Sequence, residues 1–244
     1  MIDAISAAAV RHRRTVLMVG LLVATGNAVA MGYAPAVARA LFLPLLLLTL
    51  TALLLAIISL GSRPAVLVVL PQTPAFAPPV PAWRVLLTLG LLGQSSATVG
   101  AYLRSTETGI ATTFDAVVGV LWLGVIALLV AAAWRGHDLW LSPDGVRTIG
   151  LLGSRTVPWD AGPDVEAPRD VDRPPLRLPL TVAKPALVRR RGLVGRATVP
   201  VDSVDARFLA AVVSHYVAHP QHRAAVGTPD EHRRLVAHLR GATG

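Results

Sequence analysis

Residues 41–60 read LFLPLLLLTLTALLLAIISL, twenty positions without one Asp, Glu, Lys, Arg or His. An α-helix rises about 1.5 Å per residue, so this run reaches across the ~30 Å hydrocarbon core of a bilayer. With Ala40 it forms one of four such stretches; the others run Thr15 to Gly32, Val85 to Leu103 and Ala116 to Trp134, equally free of charge. Composition points the same way: of 244 residues 53% are hydrophobic and 15% charged, where a soluble domain carries about 25% charged. Residues 1–135 are therefore expected to be a transmembrane domain with spans at about 15–32, 40–60, 85–103 and 116–134. Cysteine is absent, which excludes disulfides, thiolate metal sites and cysteine nucleophiles.

The third span is the least apolar, because Gln94, Ser95, Ser96 and Thr98 fall at mid-depth. Trp83 and Tyr102 bracket it as interfacial aromatics do, and Tyr33, Phe114 and Trp134 stand at other span ends. Gly93/Ala97 and Ser96/Gly100 follow the small-xxx-small spacing that lets helices approach closely, with Asn27 of the first span as a hydrogen-bonding partner for the polar cluster. Asn27, Gly93, Gln94, Ser96, Ala97 and Gly100 are accordingly expected to pack helices. No ionisable residue lies inside any span, and pumps, proton carriers and voltage sensors need them there.

Short loops rich in arginine stay in the cytoplasm. Arg11, Arg13 and Arg14 precede the first span, Arg63 and Arg84 lie between spans two and three, and the chain beyond Trp134 holds 16 basic residues against 11 acidic ones. The consistent topology is a multi-pass inner (plasma) membrane protein with both termini cytoplasmic. A competing arrangement treats Arg11 to Arg14, the following apolar run and Ala28-Val29-Ala30 as a cleavable secretory signal; the later spans then keep their orientation. Between spans two and three, Pro64, Pro71, Pro74, Pro78, Pro79 and Pro81 predict an extended connector.

From His137 the pattern changes to short alternating segments broken by Gly, Pro and Asp, as strands joined by tight turns require. Leu139 to Leu141 and Val146 to Ile149 flank the turn Ser142-Pro143-Asp144-Gly145. Further strands are expected at Arg155 to Trp159, weakly near Val165, and at Leu176 to Val182, Ala186 to Arg191 and Ala197 to Val201, about seven in all. A helix follows, capped by Asp202 or Ser203 and ended by Pro220, with Phe208, Leu209, Val212, Val213, Tyr216 and Val217 on one stripe. Thr228-Pro229-Asp230-Glu231 opens a second helix.

Seven short strands and one amphipathic helix is the order of a pleckstrin-homology-like domain. Leu139-Trp140-Leu141 with Ser142-Pro143-Asp144-Gly145-Val146, Val157-Pro158-Trp159-Asp160, and Arg207-Phe208-Leu209 through His215-Tyr216 to His219-Pro220 resemble the PH-domain membrane proteins of high-GC Gram-positive bacteria. The resemblance spans roughly Trp134 to Arg223. It implies a small β-barrel at 136–223 closed by a C-terminal helix, with 224–244 as a helical tail, acting as a binding or scaffolding module.

Arg189, Arg190, Arg191 and Arg196 are expected across one hairpin, where anionic lipid rewards basic side chains near its surface. Membrane lipid is thus the expected partner, with a protein partner or a second copy of the chain as alternatives; nucleic acid is not expected, because the basic tail lacks interleaved aromatics. His215, His219 and His222 are set aside as a metal site: Pro220 separates the last from the helix, and the spacing offers no carboxylate to complete the set. Asp164, Glu166, Asp170 and Asp172 read as a solvated charge run. No nucleophile elbow, phosphate loop or H-E-x-x-H motif is present, so no enzyme activity, cofactor or metal is expected. The expected function is presentation of the PH-like module to a protein partner or anionic headgroups. Its alternative is an accessory subunit or carrier working through the membrane helices, with the β domain as regulator.

Overall fold

The structure, a computed structural model, describes residues 2–107, 113–150, 152–166, 175–193 and 195–241. A short helix α1 (Ile2–Arg11) leads into α2 (Arg13–Tyr33), α3 (Pro35–Leu60), α4 (Ala82–Glu107) and α5 (Thr113–Arg135). The last four are long and apolar enough to cross a membrane. Only Ala34 separates α2 from α3, because the proline nitrogen at position 35 has no hydrogen to continue the ladder of α2. Within this bundle α4 is the hub, packing on α2, α3 and α5. In its spanning stretch 44% of residues are buried, against 22% or less in the other three. That explains its weaker hydropathy: a helix surrounded by helices can carry polar groups, whereas α3 and α5 face outward with Leu, Val and Ile exposed.

The chain divides into two compact units, the bundle (Met1–Gly61 and Pro81–Gly136) and a β unit (Ser62–Val80 and His137–Gly244). The proline-rich connector is thus more than an extended link. It forms β1 (Val68–Val69) and β2 (Phe76–Ala77), an antiparallel pair whose Phe76 registers with Leu141. The remaining strands are β3 (Leu139–Ser142), β4 (Gly145–Ile149), β5 (Gly153–Pro158), β6 (Pro163–Val165), β7 (Arg177–Val182), β8 (Arg189–Gly192) and β9 (Thr198–Pro200). They make a six-stranded sheet in the order β1-β2-β3-β4-β5-β8 and a three-stranded sheet β6-β7-β9. The expected barrel is not what these ladders form: both sheets are antiparallel and open. Asp170 and Asp172 lie outside the described residues, and Asp164 and Glu166 are exposed.

The strands are followed by α6 (Ala206–Ala218), a 3-10 turn (Pro220–Ala225) and α7 (Pro229–Gly241). Asp205 caps α6 by accepting the Phe208 N–H at 2.7 Å; Asp202 and Ser203 are buried one turn earlier. One core joins Leu67 and Phe76 of the former connector, the strands, Leu209, Val213 and Tyr216 of α6, and Val226 and Leu235 of the segment expected as a separate tail. Gly227, at φ +92°, lets the chain pass the Pro74–Ala75 backbone, where a Cβ would stand 2.2 Å from its atoms. His232 of α7 also bonds the Leu67 carbonyl at 2.9 Å.

Phe76 is fully buried, so Phe76→Ala should destabilise the β unit by about 3–5 kcal/mol, read by tryptophan fluorescence during denaturant unfolding of the full chain in micelles. A change below about 1 kcal/mol would mean that the hairpin lies outside the cooperative core.

Candidate functional site

Three places gather polar or charged side chains. The first is the far edge of the six-stranded sheet. The four arginines expected on one hairpin are divided: β8 pairs with β5, while β9 pairs with β7 in the other sheet. The division has a physical reason. Val199 and Val201 give the β9 segment a buried face, whereas the four residues of β8 are all exposed and can join a sheet only through backbone bonds at its edge. In register, Arg189 stands opposite Thr156, Arg190 opposite Arg155 and Arg191 opposite Ser154. Arg189 and Arg191 therefore share a sheet face with Arg147, whose guanidinium lies over Trp140 at 5.6 Å.

Arg155 is buried and donates to the Gly195 carbonyl at 2.7 Å. Desolvation, and then the neighbouring Arg190 cation, lower its pKa from the usual value. With Arg177 and Arg196 it lines a crevice of about 370 Å³ whose rim includes Leu152 and Leu193. These two leucines are linked by a backbone bond of 3.1 Å and are 69% and 78% exposed. The strand edge therefore ends in a tip that is both apolar and basic.

The second place is a polar seam inside the bundle. Asn27 Nδ2 of α2 donates to Ser96 Oγ at 2.8 Å, and Ser96 Oγ donates to the Gly93 carbonyl at 2.6 Å. Trp122 Nε1 of α5 donates to Ser95 Oγ at 2.9 Å. A Cβ on Gly93 would stand 2.1 Å from Thr49 Oγ1, and one on Gly100 would stand 2.4 Å from Met31 Cβ and 3.0 Å from the Ala28 carbonyl, so α4 meets α3 and α2 at these points. Ala97 is half-buried, and Gln94 is exposed rather than packed. A crevice of about 330 Å³ opens between α2, α3 and α4, lined in part by Val23, Asn27, Leu48, Thr49, Gly93 and Ser96.

The third place is built at the end of α6. Its last turn carries His215, and the cap residue His219 donates its Nδ1–H to the His215 carbonyl at 3.0 Å. A carbonyl only accepts, so the neutral His219 ring keeps its lone pair on Nε2. Pro220 ends the helix without sending the chain away: Arg223 donates from Nε to the Tyr216 carbonyl at 2.7 Å and from Nη2 to that of Val217 at 3.1 Å, and pairs with Asp160 at 3.1 Å. The turn is thereby folded back under α6, which brings His222 Nδ1 to 3.2 Å from His215 Nε2. From α7, the His238 ring lies 4.9 Å from that of His215.

Glu231 completes the group. It opens α7, where its N–H is capped by Thr228 Oγ1 at 3.3 Å. Its carboxylate is buried, accepts the Tyr216 hydroxyl at 3.0 Å and pairs with Arg234. His215, His222 and Glu231 each offer a ligand atom, all within 4.8 Å of one another. The carboxylate that spacing did not supply thus comes from the next helix. Burial, then the neighbouring His219, His238 and His222, push the His215 pKa down to about 4. Desolvation and the Arg234 cation lower that of His222. Burial raises that of Tyr216, so it stays a donor. His215 Nδ1 is buried without a hydrogen-bond partner among the described residues, an arrangement that costs about 1–3 kcal/mol and calls for a reason.

No family model, curated protein or solved structure matches this chain. Four candidate membrane helices and an open antiparallel β unit with two C-terminal helices define its class.

In the bundle, a double-mutant cycle of Asn27→Val and Ser96→Ala should return a coupling of about 0.6 kcal/mol, up to about 1.7, by steric-trap or detergent unfolding. Strict additivity would mean that the pair contributes nothing to helix association.

Proposed function

We propose that this is a multi-pass membrane protein whose β unit is a binding module for anionic lipid headgroups. The observation that carries the proposal is the tip where Leu152 and Leu193, both mostly exposed, stand beside the crevice of Arg155, Arg177 and Arg196 and the exposed strand Arg189–Gly192. A solvated strand edge has no use for two projecting leucines. An interfacial surface does, since apolar side chains enter the acyl boundary while each basic side chain gains about 1 kcal/mol from anionic lipid.

We place the β unit on the cytoplasmic side, with both termini, from the arginine distribution of the loops. The topology draws support from the fold: Ser62–Val80 and His137–Gly244 share one core, so helices crossing a bilayer must deliver both segments to the same face. We also propose that β3 to β9 with α6 form a PH-like module. Seven strands followed by a capped amphipathic helix support this; β8 returning to the first sheet and the added β1-β2 pair are departures from the pattern. The role proposed is binding rather than catalysis. A second reading, an accessory or carrier function within the bundle, is favoured by the crevice between α2, α3 and α4.

The test uses the full chain, which has no native cysteine, with Leu193→Cys labelled by a small fluorophore and reconstituted in nanodiscs containing brominated lipid. Quenching is expected in discs with anionic lipid at low salt, with loss at high salt and in an Arg190/Arg191/Arg196→Ala background. Equal fluorescence in zwitterionic and anionic discs would refute lipid recognition by the tip.

A further inference from the structure

Independently of the lipid-facing tip, we infer that His215, His222 and Glu231 form a binding site for a divalent transition-metal cation of the zinc class. The distances carry this. Two imidazole nitrogens bound to one tetrahedral zinc, each at ~2.0–2.1 Å, lie roughly 3.3 Å apart; His215 Nε2 and His222 Nδ1 are 3.2 Å apart. Glu231 offers a carboxylate oxygen within 4.8 Å of a ligand nitrogen of each histidine. Two imidazoles and one carboxylate suit a borderline cation better than calcium or magnesium, which take oxygen ligands.

The surroundings are those of a ligand set. His215 is 8% exposed, and while its Nε2 faces His222 Nδ1, its buried Nδ1 has no partner among the described residues. The Tyr216 hydroxyl on Glu231 orients the carboxylate, as outer partners of ligating carboxylates do. His219 and His238 lie beside the set, with ring centroids 4.6 and 4.9 Å from that of His215. One group opposes the cation: Arg234, half-exposed, pairs with the Glu231 carboxylate and must swing into solvent when metal binds.

The experiment is a Zn²⁺ titration of the full-length, tag-free, chelator-treated protein in micelles against a chromogenic competitor, with Co²⁺ absorption as a spectroscopic readout. One equivalent of Zn²⁺ is expected, together with the visible bands of tetrahedral Co²⁺. His222→Gln and His215→Gln should each weaken binding about 100-fold or more, Tyr216→Phe about 10-fold, and His12→Gln not at all. Arg234→Gln should tighten it several-fold. Because His215→Gln can disturb the core, each variant is first melted without metal; the partly exposed His222 is the decisive position. No saturable binding by wild type, or binding unchanged in a folded His222→Gln protein, would overturn the site.

Discussion

The burial of Leu67 and Phe76 is the constraint on which the rest of the β unit depends. These residues precede two helices long enough to cross a membrane, yet they share a core with strands and helices that follow those spans. The β unit is therefore incomplete until the chain has passed through α4 and α5, and a fragment beginning at His137 lacks one edge of its sheet and the partner of His232. The β core can close only once Ser62–Val80 and the chain from His137 have come together.

Inside the bundle the physics is different. Lipid tails are as apolar as leucine, so burial alone cannot decide which helix faces outward. The choice falls to α4, which buries more of its spanning stretch than any other of the four helices and carries buried Ser95 and Ser96 beside Gly90, Gly93 and Gly100, where neighbours approach closely. Its serines reach Asn27 on one side and Trp122 on the other, so the helix that reads worst by hydropathy organises the other three.

Much of this architecture is written in the sequence. Uncharged runs define the four helices within a few residues, and turn chemistry such as Ser142-Pro143-Asp144-Gly145 places the seven strands after His137. What escapes is whatever depends on distant partners. Two-residue strands flanked by proline carry no period of their own, so β1 and β2 are invisible until Leu141 is beside them. Adjacent strands in sequence suggest a hairpin, yet β8 and β9 part because only one has an apolar face. Asp205 outcompetes Asp202 and Ser203 as the cap because those two are drawn into the core.

The histidine group shows the same limit most sharply. Its members come from a helix, a 3-10 turn and a second helix, at spacings that match no single periodic element. Arg223 is the residue that converts a proline stop into a folded-back turn, by donating to two otherwise open carbonyls at the end of α6. Glu231, which a capping box would use at the start of α7, is instead claimed by Tyr216. That hydroxyl belongs to a ring packed at 5.5 Å against Trp159 in the core. Core packing thus places the His215 ring and the Glu231 carboxylate, while the turn that Arg223 folds back places His222.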